Sequence, residues 1–280
     1  MHMEEGTLLK RLVVLVAMIA ALLGNAIPAY AITDGDLDNG DHPYVGLMVA
    51  KDAAGAPLWR CSGTLIAPTV FLTAGHCTEA PATNAVLYFT DTIVSGTGGT
   101  PPNICTTGRV GYPCNGGATG KTYTHPNYDP NAFFVRDLGV VVLDAPKTMA
   151  QYGLLPSKDQ LDSLKVGSKT TFTSVGYGLQ KSFPDAAGWK DVALKTRMVA
   201  HPQLVQSNGG IVGDYALLLS NNANTGGTCF GDSGGANFVG NSRVLAGVTS
   251  FGLNGTCGGT GGIFRVDRSW SLDWVATFLD

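Results

Sequence analysis

The segment CFGDSGG at residues 229–235 is the most informative stretch of this sequence. A serine hydroxyl is a poor nucleophile and needs a neighbouring base to take its proton. The glycines around Ser233 let the chain turn sharply, let a substrate approach the backbone, and leave N–H groups free to face an oxyanion. The segment therefore indicates a catalytic serine. The alternative is a glycine-rich turn that carries a solvated serine.

The order of histidine and serine along the chain separates two kinds of serine hydrolase. The segment also fits Gly-x-Ser-x-Gly, the nucleophile elbow of α/β-hydrolases, in which the histidine follows the serine. The last histidine here is His201, which precedes Ser233. The elbow interpretation is therefore excluded.

Two other segments supply candidate partners for Ser233. His76 ends LTAGH at residues 72–76, where an apolar run passes into small residues, and the end of a strand would hold an imidazole rigidly. Asp137 precedes the apolar run at 138–143, where an aspartate is costly unless it is paired. We therefore predict that Asp137 orients His76 and that His76 activates Ser233. The remaining histidines after residue 31 are assigned structural roles: His42, His125 and His201.

In this order, the three segments resemble the histidine, aspartate and serine boxes of a secreted, bacterial-type member of the trypsin/chymotrypsin family of serine endopeptidases. The resemblance covers nearly all of the chain after residue 31. Besides 229–235, it rests on CSGTLI at 61–66, TAGHC at 73–77, RDLGV at 136–140, VGYG at 175–178 and AGVTSFG at 246–252. VGYG is similar to the family's Gly-aromatic-Gly turn that opens the second barrel, and AGVTSFG to the strand that lines the substrate cleft.

The apolar runs of the sequence are typical of an all-β protein. Short stretches rich in valine, threonine and aromatics, bounded by Gly, Pro, Asn and Asp, predict a sandwich or a pair of barrels. They lie at 46–50, 64–66, 70–72, 85–89, 139–143, 170–175, 215–219, 244–251 and 263–266. The resemblance implies two six-stranded antiparallel Greek-key β-barrels, at about 32–150 and about 165–267, within a protease domain at 32–280.

A C-terminal helix at about 269–279 is predicted from the spacing of apolar residues, with Ser271 as its cap. The apolar residues at that spacing are Leu272, Val275, Phe278 and Leu279.

The resemblance also implies a role for each site residue. His76 acts first as general base and then as general acid, Asp137 orients it, and Ser233 attacks the carbonyl. Gly231 and Ser233 provide the backbone N–H groups of the oxyanion hole. Ser250 supports the buried Asp137.

The specificity pocket is expected to accept an apolar or aromatic side chain before the scissile bond. By the resemblance, its base lies two positions before Cys229, at Gly227, where trypsin-like members have an aspartate. Without a charge there, a buried basic side chain would be left unpaired, which is unfavourable. The substrate-binding residues that the resemblance implies are Gly227, Thr228, Phe230, Ser250, Phe251 and Gly252, with Gly261 or Gly262 as a further wall.

Residues 1–31 are predicted to be a secretory signal peptide. Lys10 and Arg11 give a positive start, residues 12–23 are apolar throughout, and AYA at 29–31 offers the small residues that signal peptidases accept. The alternative, a membrane anchor, is disfavoured because the apolar run would span only about 18 Å of a roughly 30 Å hydrocarbon core. The mature protein is therefore expected to be secreted.

Cleavage after Ala31 would make Ile32 the new N-terminal residue. By the resemblance, the amine of Ile32 pairs with Asp232 and activates the enzyme, so that export alone would mature it. Asp34 departs from the family pattern, which has glycine at that position.

In a secreted protein, the six cysteines are expected to form disulfides, although spacing alone leaves their pairing open. The resemblance implies the pairs Cys61–Cys77 and Cys229–Cys257. Cys105–Cys114 has no obvious counterpart in the family and is interpreted as an additional disulfide within a loop. The sequence has no Cys-x-x-Cys pair and no His-Glu-x-x-His, so we expect neither a metal nor another cofactor.

Composition excludes several classes of function. A hydrophobic share of 44% against a charged share of 14% excludes global disorder. A net charge of −3 offers no basic excess for a nucleic acid, and no apolar run beyond residue 31 is long enough to span a membrane. We therefore predict a secreted endopeptidase that acts on proteins or peptides. The alternatives are a catalytically silent binding protein on the same fold and an esterase with the same triad; the sequence does not indicate an oligomeric state.

Overall fold

The first half of the chain folds into a closed antiparallel β-barrel. A computed structural model describes residues 32–93, 112–113, 116–132 and 134–279. After a short strand β1 (Asp36–Leu37), the barrel strands are β2 (Val45–Lys51), β3 (Pro57–Ala67), β4 (Val70–Thr73), β5 (Asn84–Tyr88), β6 (Ala118–Thr124) and β7 (Gly139–Leu143). They close in the order β2-β3-β4-β7-β6-β5. This barrel carries the histidine segment on β4 and the aspartate segment before β7.

The second half forms another six-stranded barrel. Its strands are β8 (Gly167–Gly176), β9 (Met198–Ala200), β10 (Gln203–Gly209), β11 (Gly213–Asn221), β12 (Ala236–Val239), β13 (Leu245–Gly252) and β14 (Gly259–Arg265). The order β8-β10-β11-β14-β13-β12 closes because β12 pairs back with β8. β9 runs into β10 and also pairs with β8, so the two pieces act as one barrel strand. The predicted pair of six-stranded barrels is confirmed.

The two barrels share one hydrophobic core. A single cluster of buried side chains contains Phe71 and Val140 from the first barrel and Phe238 and Val248 from the second. Burying apolar surface between the barrels is favourable at about 25 cal/mol per Å². The cleft between them is therefore held by continuous packing, and it is the place where the predicted site residues meet.

In the part of the chain that the structure describes, two short α-helices accompany the barrels, and the second one differs in detail from the prediction. Helix α1 (Gly75–Thr78) follows β4 directly, and helix α2 (Ser269–Ala276) ends the described chain. The prediction that Ser271 caps α2 is wrong, because the helix begins at Ser269 with Arg268 as N-cap. Ser271 is buried inside the helix and donates its hydroxyl to the carbonyl of Arg265.

Five strands of the described residues were missing from the sequence prediction, and several predicted strands are longer in the structure. The missed strands are β1, β6, β9, β10 and β12, and β3 begins at Pro57 where the sequence predicted residue 64. The predicted signal peptide at 1–31 and the predicted Cys105–Cys114 bridge lie outside the described residues. None of the helices in the described ranges combines the length and apolar character that a membrane span requires.

Candidate active site

His76 and Asp137 meet at the ends of two paired strands. β4 and β7 are antiparallel neighbours with Thr73 opposite Gly139, so helix α1 after β4 lies beside the turn before β7. Asp137 is completely buried. Its Oδ1 accepts the backbone N–H of His76 at 2.9 Å, and His76 Nδ1 lies 3.1 Å from Oδ1 and 3.0 Å from Oδ2. The imidazole is therefore oriented by the carboxylate on its Nδ1 side.

A second donor holds the same carboxylate from the other barrel. Ser250 on β13 donates its hydroxyl to Asp137 Oδ2 at 2.5 Å. The predicted support of Asp137 by Ser250 is thus present as a contact in the structure. Burial works to lower the pKa of His76, but the negative charge of Asp137 and the hydrogen bond to it outweigh burial and raise that pKa.

Ser233 lies in a turn that is pinned to both barrels. The backbone N–H of Ser62 on β3 donates to the carbonyl of Ser233 at 2.8 Å, and Gly234 donates to the carbonyl of Thr249 at 2.7 Å. Gly234 has φ +75°, and a Cβ on it would overlap the hydroxyl of Thr73. A glycine is therefore required here. This close approach brings the serine turn against the chain that leads to His76.

The predicted oxyanion donors have free N–H groups. Gly231 has φ +95°, a conformation that favours glycine. Among the hydrogen bonds of the residues that the structure describes, neither Gly231 nor Ser233 uses its backbone N–H. Two neighbouring unused N–H groups in one tight turn are the arrangement that a developing oxyanion needs.

Asp232 points the opposite way, into the protein. Its carboxylate is completely buried and accepts N–H groups from Gly178 at 2.7 Å and from Cys229 at 2.9 Å. A Cβ on Gly176 or Gly178 would overlap this carboxylate, so the Gly-Tyr-Gly turn makes room for it. Burial raises the pKa of Asp232 to about 7, which is the electrostatic cost of a buried carboxylate without a bonded cation.

Ile32 is also buried, on the second barrel. Its side chain packs against Met198 and Ala200, and Thr33 next to it pairs with Gly227 in an antiparallel bridge. The structure therefore brings the segment that follows the predicted cleavage site onto the barrel that carries Asp232. Among the described residues, neither a hydrogen bond nor an ion pair joins Ile32 to Asp232.

A cavity of about 320 Å³ opens beside Ser233. It contains five of the six predicted substrate-binding residues. Its lining consists of Thr228, Cys229, Phe230, Ser233, Thr249, Ser250, Phe251, Gly252, Leu253, Asn254 and Cys257. None of these side chains is charged, so the cavity offers no partner to a lysine or an arginine.

Gly227, the predicted base of the pocket, lies outside this lining. A Cβ on Gly227 would overlap the side chain of Asn221, and the N–H of Gly227 donates to Thr33 at 3.0 Å. Of the two glycines proposed as a further wall, Gly261 lies against Thr228, because a Cβ on Gly261 would be 3.0 Å from the Thr228 hydroxyl. Gly262 lies under the ring of Phe251.

A second cavity continues the cleft on its apolar side. Its volume is about 600 Å³, and it shares Phe251, Gly252 and Leu253 with the first cavity. The rest of its lining is Phe134, Gly210, Ile211, Val212, Gly213 and Tyr215. Sequence reasoning missed these residues because they come from two separate segments and follow no local pattern.

The described cysteines brace the site. Cys61–Cys77 joins β3 to α1, next to His76, and Cys229–Cys257 joins two edges of the first cavity. Both bridges agree with the pairing that the resemblance implied. Ligating atoms of Cys61, His76 and Cys77 lie within 4.8 Å of one another, but the two sulfurs are bonded to each other, so they offer no thiolates to a metal.

Sequence comparisons identify a family model and two known proteins that are similar to this chain. The family model described as Trypsin matches residues 36–275. A brachyurin from Leptuca pugilator is 33% identical over 234 residues, which cover 79% of this chain and 88% of the relative. A trypsin from Saccharopolyspora erythraea is 29% identical over 227 residues, which cover 76% of this chain and 82% of the relative.

Solved structures show the same fold. HL collagenase aligns with a TM-score of 0.61 at 19% identity, covering 88% of this chain and 97% of the other. Human heparin binding protein aligns with a TM-score of 0.59 at 19% identity, covering 88% and 96%. At these identities the likeness concerns the fold alone.

Proposed function

This chain belongs to the trypsin family of serine endopeptidases, and from that premise we propose that it is a secreted enzyme that cleaves peptide bonds through an acyl-enzyme on Ser233. The observation that carries the proposal is the continuous arrangement from Ser250 through Asp137 to His76, with the serine turn packed against the chain before the histidine. The hydrogen bonds that join Ser250, Asp137 and His76 in this order support the role proposed for each of these side chains.

In the acylation step, His76 takes the proton of the Ser233 hydroxyl while the oxygen attacks the carbonyl carbon of the substrate. The carbonyl oxygen becomes negative and accepts hydrogen bonds from the N–H groups of Gly231 and Ser233. His76 then gives its proton to the leaving amine as the C–N bond breaks. Asp137 keeps the other imidazole nitrogen protonated and stabilises the imidazolium.

In the deacylation step, a water molecule replaces the departed amine. His76 removes a proton from this water as it attacks the ester carbonyl, and the same N–H groups stabilise the second tetrahedral intermediate. His76 finally returns the proton to Ser233 Oγ, which releases the acid product and restores the enzyme.

The substrate preference is for an apolar or aromatic side chain before the scissile bond. The cavity beside Ser233 supports this preference because its lining includes Phe230, Phe251 and Leu253 and carries no charged side chain. A lysine or arginine would lose its water there without gaining a counter-ion.

Maturation requires cleavage after Ala31, which frees the amine of Ile32. The burial of Ile32 and the raised pKa of Asp232 support this step, since an ammonium group near a buried carboxylate stabilises its charged form. Secretion supplies the oxidising compartment in which the two disulfides form.

The test is stoichiometric labelling of the mature protein with a serine-directed fluorophosphonate, read by intact mass. We expect wild type and Ser168→Ala, which changes an exposed serine on β8, to gain one label each, and Ser233→Ala to gain none. The mass also gives the first residue, and a start well after Ile32 would contradict the maturation step.

Turnover of matched substrates then separates the competing functions. Peptide reporters with Phe or Leu before the scissile bond should be cleaved faster than the Arg reporter. A folded, disulfide-bonded wild type that starts at Ile32 and takes no label would be a silent binding protein, whereas an unlabelled protein with another start would be a latent form. A protein that turns over esters but no peptide would be an esterase.

A further inference from the structure

Asn221 does not line the cavity beside Ser233, but it is hydrogen-bonded to Thr228, which does. It is the last residue of β11 and is 2% exposed. Its side chain fills the space that any side chain at position 227 would need, since a Cβ on Gly227 would overlap it. A buried amide is costly unless its donors and acceptor are used, so its partners indicate what it does.

The two ends of the amide bind two different parts of the chain. Nδ2 donates to the backbone carbonyl of Thr228 at 2.8 Å, and Thr228 lines the cavity beside Ser233. Oδ1 accepts the hydroxyl of Thr33 at 2.8 Å. The side chain therefore connects the N-terminal segment to a wall of the cavity.

Backbone contacts make the connection more rigid. Thr33 pairs with Gly227, accepts its N–H at 3.0 Å and reaches its carbonyl with the hydroxyl at 3.3 Å. On the other side, Asn222 is bridged to Gly226, which folds the loop between β11 and Thr228 back onto Asn221. Gly227 is thus held by the backbone and hydroxyl of Thr33, whereas the cavity wall at Thr228 is connected to Thr33 through the buried amide of Asn221.

Resting on the proposed function, we propose that Asn221 is a positioning residue which sets the cavity wall at Thr228 according to the seating of Thr33, and so controls how tightly a substrate side chain is bound. The amide contacts neither the reacting bond nor the predicted triad. Its loss weakens binding in the cavity and leaves the chemical step at Ser233 in place.

The experiment uses variants that cut one connection at a time. Thr33→Val removes the hydroxyl donor and keeps the shape, Thr33→Ser keeps the donor, and Asn221→Asp keeps the acceptor but removes the donor to Thr228. For the Phe reporter peptide, we expect KM to rise about tenfold in Thr33→Val and in Asn221→Asp, with kcat within about twofold of wild type. Thr33→Ser should keep the wild-type KM.

Labelling by a small fluorophosphonate that places no side chain in the cavity is the second measurement. Its rate should stay within about twofold of wild type in all three variants. An equal loss of labelling and of kcat/KM would show a general structural role, and an unchanged KM would show that the amide does not position the wall; either result overturns the proposal.

A third measurement does not depend on activity. In hydrogen exchange of the mature protein, the amides at 226–228 should exchange faster in Thr33→Val than in Thr33→Ser, because Gly227 and Thr228 lose their support. If wild type neither labels nor cleaves, the proposed function fails, and this exchange still decides the role of Asn221. If Asn221→Asp does not fold, the Thr33 pair carries the test, since Thr33 is only partly buried; equal exchange in the two Thr33 variants contradicts the proposal.

Discussion

Asp137 is a completely buried carboxylate that receives hydrogen bonds from both barrels. The backbone N–H of His76 and the hydroxyl of Ser250 fix the two oxygens, so the imidazole meets a carboxylate that has little freedom to turn. Hydrogen bonds to a charged group are each worth about 1.5–3 kcal/mol. The position of His76 therefore depends on the charge of Asp137 as well as on its shape.

Replacing Asp137 by asparagine tests that dependence. The pKa of His76 is lowered by burial but raised overall by Asp137, and His76 must be neutral to act as a base, so activity falls as the pH drops below this pKa. In Asp137→Asn the acidic limb of kcat/KM should move to lower pH, and kcat should fall by about 10⁴-fold, the order known for this change in Ser-His-Asp enzymes.

The matched control is Asp144→Asn, which changes an exposed aspartate that accepts the hydroxyl of Thr119 just after β7. Its pH profile should coincide with that of wild type. An acidic limb that stays in place in Asp137→Asn would mean that Asp137 does not set the pKa of His76.

The residues of the proposed triad have clear signals in the sequence at the level of single residues, but the residue proposed to support the pocket has none. Ser233, His76 and Asp137 stand beside glycines or apolar runs that mark strand ends and tight turns. Asn221 has no such signal, because its partner Thr33 lies 188 positions away and a buried amide follows no periodicity. Leu253 and Phe134, which line the cavities, were also missed because no local sequence pattern marks them.

Strands β7 and β6 differ in how much their side chains indicate a strand. β7 is nearly all buried and was predicted with its bounds, whereas β6 exposes several of its side chains and was missed. β6 is held by its backbone pairing with β5 and β7. Gly120 must be small there, since a Cβ would lie 2.5 Å from the carbonyl of Val142. From its sequence alone, a strand with so many exposed side chains cannot be distinguished from a loop.

Helix α2 is joined to the aspartate turn by stacked side chains. The guanidinium of Arg136, one residue before Asp137, lies 4.0 Å from the ring centre of Trp270 in α2 and 5.4 Å from that of Tyr215 in β11. Cation–π contacts of this kind are worth about 0.5–2 kcal/mol each. The turn before β7 is thereby attached to the second barrel and to its closing helix.

Arg136→Met should therefore lower the free energy of unfolding by about 1–2 kcal/mol, because methionine fills the space without a charge over the rings. Urea unfolding followed by tryptophan fluorescence measures this change. Lys169→Met, which removes an exposed cation on β8, should stay within about 0.5 kcal/mol of wild type. Equal effects of the two changes would show that the stacking contributes nothing.

At the scale of the whole molecule, Arg197 joins the barrels through a buried charge. It directly precedes β9 and is 1% exposed. Its guanidinium donates to Asp38 at 2.7 Å, to the carbonyls of Val45 at 3.2 Å and Phe89 at 3.0 Å, and to Asp91. One side chain of the second barrel thus satisfies carbonyls at the ends of two strands of the first.

The same network reaches the site through one further side chain. Arg197 also donates to the hydroxyl of Tyr177 at 3.0 Å, and Tyr177 stands between the two glycines that make room for Asp232. Tyr177 therefore connects the Arg197 network between the barrels to the two glycines that surround the Asp232 carboxylate.

Removing Arg197 should leave Asp38 as a buried charge without its cation. Burial works to raise the pKa of Asp38, but hydrogen bonds from His42 and Arg197 outweigh it and hold that pKa below 3.8. The stability that this lowered pKa contributes is present above about pH 4 and is lost as the pH falls through the folded-state value. Arg197→Met should therefore cost about 3–5 kcal/mol at pH 7.

The pH dependence and a double variant identify the cause of this loss. In Arg197→Met the pKa of Asp38 rises, so protonation relieves the buried charge, and the difference from wild type should narrow as unfolding is measured from pH 7 down to pH 4. Arg197→Met combined with Asp38→Asn removes both charges and should be more stable at pH 7 than Arg197→Met alone. A double variant that is less stable, or a difference from wild type that does not change with pH, would mean that the lost carbonyl contacts and not the charge of Asp38 account for the effect.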